Sequence, residues 1–115
     1  MLERWLVSIV INFVLRQLSK FKKDIDWGKV RADLDTRVRA LVPGTWFDQE
    51  AVAICNAALD GVLSVLSSTE DLERVLQRLA ASDWAGAYEA LKALLLSVWN
   101  PTGASGKKVQ ALLAS

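Results

Sequence analysis

Residues 5–15 read WLVSIVINFVL, eleven positions at which Ser8 and Asn12 are the only polar side chains. A helix of this composition is apolar around most of its circumference, so in water it is stable only when other material covers more than one side of it. A membrane span is a poor solution, because crossing a bilayer takes about 20 apolar residues and this run meets Arg16. A cleaved leader fits no better: Glu3 spoils the basic start, and no small-residue cleavage site precedes the lysines. The helix is expected to stay with the chain.

Advancing 100° per residue places Leu6, Val7, Val10, Ile11, Val14 and Leu18 on one broad face. Trp5, Ile9 and Phe13 extend onto the opposite side, beside Ser8 and Asn12. The rest of a small bundle can cover the first face. The second then needs another occupant, either a copy of the chain, a different protein or the headgroup layer of a membrane. Asn12 resembles the polar position that fixes register in a helix pair. Trp5, Ile9, Asn12 and Phe13 are therefore candidate partner-binding residues. Trp46 and Phe47, near a helix start, join them, because aromatic groups at helix ends serve as interface anchors.

Five cations (Arg4, Arg16, Lys20, Lys22, Lys23) stand against Glu3 in residues 1–23, although the whole chain carries only +1. Such a cluster suits an anionic surface, and it also suits the negative end of a helix dipole.

Glycine and proline fall mostly where helices would stop, and no segment alternates with period two, so an all-helical fold is expected. The first helix spans about 2–21. Asp26 caps the second, with Ile25 and Val30 as its hydrophobic staple and Trp27, Val30, Leu34, Val38 and Leu41 as its buried stripe. Lys29, Asp33 and Arg37, with Asp35 and Arg39, give that helix a salt-bridged outer face. Pro43 and Gly44 end it.

A third helix opens at Thr45 or Asp48, and its segment AVAICNAALDG makes it the candidate centre of the bundle. A short fourth carries Leu72, Val75, Leu76 and Leu79. A fifth, capped by Ser82 or Asp83, carries Trp84, Tyr88, Leu91, Leu95 and Val98. Small residues recur along the third (Ala53, Ala57, Gly61) and the fifth (Gly86, Ala90, Ala93, Ser97), a pattern that lets two helices cross closely. DWGKVRADL at 26–34 echoes DWAGAYEAL at 83–91, which two capped amphipathic helices produce without duplication. Residues 101–115 read as a linker followed by a short docking tail with Val109, Leu112 and Leu113 at helical spacing.

The 115 residues suit one helical domain over 1–100, a bundle of about five helices plus the tail. Histidine is absent, which removes the commonest general base, the usual triads and most zinc sites. The lone Cys55 allows no internal disulfide; on the most apolar helix it reads as a small hydrophobe, and it suits a reducing, cytoplasmic compartment. No phosphate loop or calcium loop is present, and the aspartates interleaved with Arg31, Arg37 and Arg39 disfavour nucleic acid. The expectation is a non-enzymatic interaction or structural subunit without cofactor, metal or small-molecule substrate. It would be a homo-oligomer or bind a protein partner through its first helix, as in a larger assembly such as a phage particle or as a small protein inhibitor. The alternative is a peripheral membrane protein held by the same apolar and basic helix.

Overall fold

The computed structural model describes the backbone of residues 2–21, 24–41 and 45–114, and the side chains of 4–21, 24–40 and 50–114. Its elements are α1 (Leu2–Phe21), α2 (Trp27–Leu41), α3 (Thr45–Leu66), α4 (Thr69–Ala80), α5 (Trp84–Ser97) and α6 (Ala104–Ala114). The described residues contain no strand. The all-α reading holds: the described residues form six helices, close to the expected bundle of about five with a tail segment.

α1 and α3 each touch every other helix. The centre expected of α3 alone is therefore shared. From α1 come Leu6, Val7, Val10, Ile11, Val14, Leu15 and Leu18, and from α3 Ile54, Cys55, Ala58, Leu59, Val62 and Val65, all essentially inaccessible to solvent. No charged or polar side chain is buried among the described residues. The core is thus held by apolar packing, each large side chain contributing roughly 1.5–3 kcal/mol of transfer free energy.

α2 starts as its sequence requires. The Lys29 amide donates to Asp26 Oδ1 at 3.2 Å, and Ile25 and Val30 both pack on the core. Lys29, Asp33, Arg37 and Arg39 face water, but among the described residues no ion pair links Asp33 to Arg37 or Asp35 to Arg39. The polar contacts run between helices instead. Arg31 pairs with Asp60 of α3 and donates to Asn56 Oδ1 at 2.7 Å, while Asn56 Nδ2 donates to Asp35 at 3.2 Å. Long side chains near a helix crossing reach the neighbouring helix as readily as the next turn of their own.

The small-residue strips do not form a close seam between α3 and α5. Ala53, Ala93 and Ser97 are exposed, and Ala57, Gly86 and Ala90 are only partly covered. Gly61 instead admits the indole of Trp99, and the bare Cα of Gly86 leaves room for the Asp83 carboxylate that caps α5. The absent side chains are used by single neighbours, each with its own geometry. On α5, Leu94 joins Leu91 and Leu95 in the core, while Val98, expected in the stripe, is exposed.

α4 ends in a Schellman turn, with Ser82 N–H bonded to Leu79 O at 3.0 Å and Asp83 N–H to Arg78 O at 2.9 Å. Ser82 occupies the left-handed position of that turn, at φ 58°. The tail is a helix of the bundle: α6 packs on α1, α3 and α5 and buries Val109 and Leu113. Gln110 Nε2 donates to the carbonyls of Leu95 and Trp99, at 3.1 and 2.9 Å, supplying donors to the open end of α5. Eleven residues are too few for a stable isolated helix, so this packing is what keeps α6 formed. The radius of gyration, 13.5 Å, is close to the roughly 13 Å expected for a compact chain of this size.

Candidate partner-binding face

The broad face of α1 is covered as its periodicity requires. The opposite face meets a different fate from the one expected. Phe13 is only 4% exposed, and the Arg37 guanidinium of α2 lies 5.1 Å from its ring centroid. Ile9 is half-buried against the core. Asn12 accepts from Trp84 Nε1 at 2.8 Å through Oδ1 and donates to the Ser8 carbonyl at 3.0 Å through Nδ2. Phe13 and Asn12 are thereby engaged inside this chain, and the open apolar side expected of α1 is narrowed to the end that carries Trp5. α2 and α5 flank the helix, and their long amphipathic side chains fold over it, a cover that no single-helix plot can display. The side chains of Trp46 and Phe47 lie outside the described residues.

Trp5 remains 45% exposed. It lines an open cleft of about 430 Å³ with Arg4, Ser8, Tyr88, Lys92 and Leu112. Two turns further along α1, a second cleft of about 360 Å³ is walled by Phe13 and Trp84 and rimmed by Arg16, Lys20 and Arg37, with Gln17 and Ser19 completing it. No carboxylate lines either cleft. Arg16, Lys20 and Arg37 are exposed, and none has an ion-pair partner among the described residues.

Acids stand in the adjoining cleft, where Asp24, Asp26 and Asp33 line the wall with Lys20, but none of them forms an ion pair with Lys20 or Arg37. Asp83, next to Trp84, accepts from the Gly86 amide at 2.9 Å and from Arg78 at 3.2 Å, and these bonds lower its pKa. Unneutralised cations over low-dielectric aromatic walls create a field that draws anions.

Arg37 and Trp84 are members of this cleft that the sequence did not indicate. Arg37 reads as an i to i+4 partner of Asp33 and Trp84 as the start of a core stripe; their convergence on α1 depends on helix placement alone. Cys55 is buried, and burial, with a smaller contribution from the Asp35 charge, pushes its thiol up to about 12. The described residues hold no group of three or more acidic, cysteine or histidine side chains placed to bind a metal. Among them, no single helix is long and apolar enough to cross a membrane.

These features define a six-helix all-α bundle with a basic, aromatic strip along α1. No family model, curated protein or solved structure significantly matches the chain.

Proposed function

We propose that this chain is a non-catalytic interaction protein that docks an acidic protein partner on the outer strip of α1, using the rims lent by α2 and α5. The observation that carries this reading is Trp5, which with Phe21 is left exposed on α1 and stands beside two clefts that contain cations and no carboxylate. Indole rings and arginines are the groups that anchor interfaces. The charge also bears on the kind of partner. A symmetric pair of copies joined through this face would set basic rims against basic rims, which opposes self-association, whereas a partner of opposite charge gains both steering and register.

Sedimentation velocity on the isolated chain, followed by affinity capture with the wild type beside Trp5→Ala and Arg16→Glu, tests the reading. The expected result is a monomer that retains a partner at low salt, with retention lost in both variants while their melting curves stay unchanged. Capture indifferent to both substitutions and to salt would overturn it.

A second reading, adsorption to an anionic membrane surface, is supported by the same cations beside an interfacial tryptophan. It works through Trp5 and the rims, because the broad apolar face of α1 is occupied by the core. Sedimentation with anionic and zwitterionic vesicles separates the two readings.

A further inference from the structure

We propose that the cleft between α1, α2 and α5 is a binding site for an organic phosphate monoester, with Arg16, Lys20 and Arg37 holding the phosphate and the exposed ring of Trp84 packing on the stem that carries it. The cations meet at one concavity of about 360 Å³ lined by no acid. A monoanionic carboxylate entering it would offset one of the three positive charges, whereas a phosphate monoester brings close to two negative charges and three acceptor oxygens.

The walls specify the rest of the ligand. Trp84 directs its only donor, Nε1–H, to Asn12, so its ring offers the cleft apolar surface and no hydrogen bond. Phe13, almost fully buried, lies at the base of the cleft, and its contact with Arg37 keeps that guanidinium at the rim, 5.1 Å from the ring centroid. Arginine so placed loses less freedom when it forms paired bonds to a phosphate. Gln17 and Ser19 supply further polar groups at the margin. An inorganic phosphate would satisfy the rim but leave the walls empty, so a phosphate with an apolar stem is the better fit. This site stands on its own geometry, whether or not α1 docks a protein.

The test is titration of the nitrogen-15-labelled protein with phenyl phosphate, benzoate and inorganic phosphate at matched ionic strength, reading the Trp84 indole resonance. Saturable movement with phenyl phosphate, several-fold weaker affinity for the other two, and a loss of roughly tenfold or more in Arg16→Gln is the expected result. Among the described residues Arg16 is exposed and has no ion-pair partner, so its variant is expected to stay folded; Arg16→Gln and Arg37→Gln, each checked by its melting curve, should weaken binding to a similar extent. No saturable shift, equal response to benzoate, or binding unchanged in Arg16→Gln overturns the proposal.

Vesicles identify the source of the ligand. Phenyl phosphate binding together with selective binding to phosphatidic acid over phosphatidylglycerol supports a lipid-borne monoester. Phenyl phosphate binding without vesicle binding supports a soluble one. Vesicle binding indifferent to headgroup, with phenyl phosphate inert, overturns the site.

Discussion

The indole of Trp99 lies directly over the Cα of Gly61: a Cβ built on that glycine would stand 2.8 Å from both Cδ2 and Cε2 of the ring. The same indole approaches Gly106, where a Cβ would come within 3.3 Å of Cζ2 and 2.7 Å of Pro101 Cβ. The ring thus joins α3 to α6 at two glycines where an added Cβ would force its neighbours to shift. Gly61→Ala should cost roughly 1–3 kcal/mol by overpacking, and the penalty should shrink when Trp99 is also replaced by alanine. Thermal melts of the two single variants and the double variant measure this coupling; strictly additive losses would show that the ring has room to move aside.

Phe13 and Trp5 of α1 should behave differently. Phe13→Ala opens a hole in the core and removes the Arg37 contact, a loss of about 3 kcal/mol or more. Trp5→Ala removes a half-exposed ring and should cost under about 1 kcal/mol. Urea unfolding of both variants checks the contrast, and equal losses would mean that Trp5 belongs to the core rather than to a docking face.

Ser82 holds the left-handed position of the Schellman turn between α4 and α5, a conformation that costs an L-residue roughly 1 kcal/mol and glycine almost nothing. Ser82→Gly is therefore expected to raise stability by about 0.5 kcal/mol after allowing for the greater freedom of glycine in the unfolded chain. A lower melting temperature in the variant would show that the serine side chain contributes a contact outweighing its backbone strain.

Asp83 should make acid stability visible. The bond from the Gly86 amide, then that from Arg78, keeps its carboxylate ionised to lower pH than the ordinary value of 3.8. Because the folded state binds this proton less readily than the unfolded state, its contribution is complete above pH 3.8 and is lost as pH falls through the depressed folded value. Asp83→Asn keeps an acceptor for the cap but cannot titrate, so melting temperature should fall less steeply with acid in the variant. Parallel profiles would remove Asp83 from the acid response.

Cys55 should be inert while the protein is folded. Its thiol, pushed up to about 12 by burial and to a lesser degree by the Asp35 charge, carries negligible thiolate at neutral pH. A thiol reagent at pH 8 should label the denatured chain completely and the native chain only at the rate of unfolding. Prompt labelling of the native protein would contradict its burial. Above its unfolded value of 9.0 the thiol ionises preferentially in the unfolded chain, so stability should decline as pH rises from there toward 12.

Much of the helical framework is legible without coordinates because it is written in local chemistry. Asp26 and Asp83 each place a carboxylate at the N-cap and bond the amide three residues on, which explains why DWGKVRADL and DWAGAYEAL resemble one another. The periodicity of α1 correctly marks Leu6, Val7, Val10, Ile11, Val14 and Leu18 as interior. Val98 departs from its stripe because it follows α5, at the C-cap, where the helical period ceases to govern direction. The tail escaped recognition as a full helix because its 11 residues gain stability from α1, α3 and α5 and little from their own propensity.

The candidate site was only partly open to such reading, since periodicity states which side of a helix is apolar and leaves unstated what covers it. The sequence alone determined that α1 must be enclosed on more than one side, that a basic group accompanies it, and that the chain is helical. The tertiary structure decided that the enclosure comes from within, with Trp84 reaching Asn12 across 72 positions of sequence and Arg37 settling over Phe13. The physical reason is range: caps, turns and periodicity act over one or two helical turns, whereas a cleft arises only where helices distant in sequence are brought together by burial of their shared core.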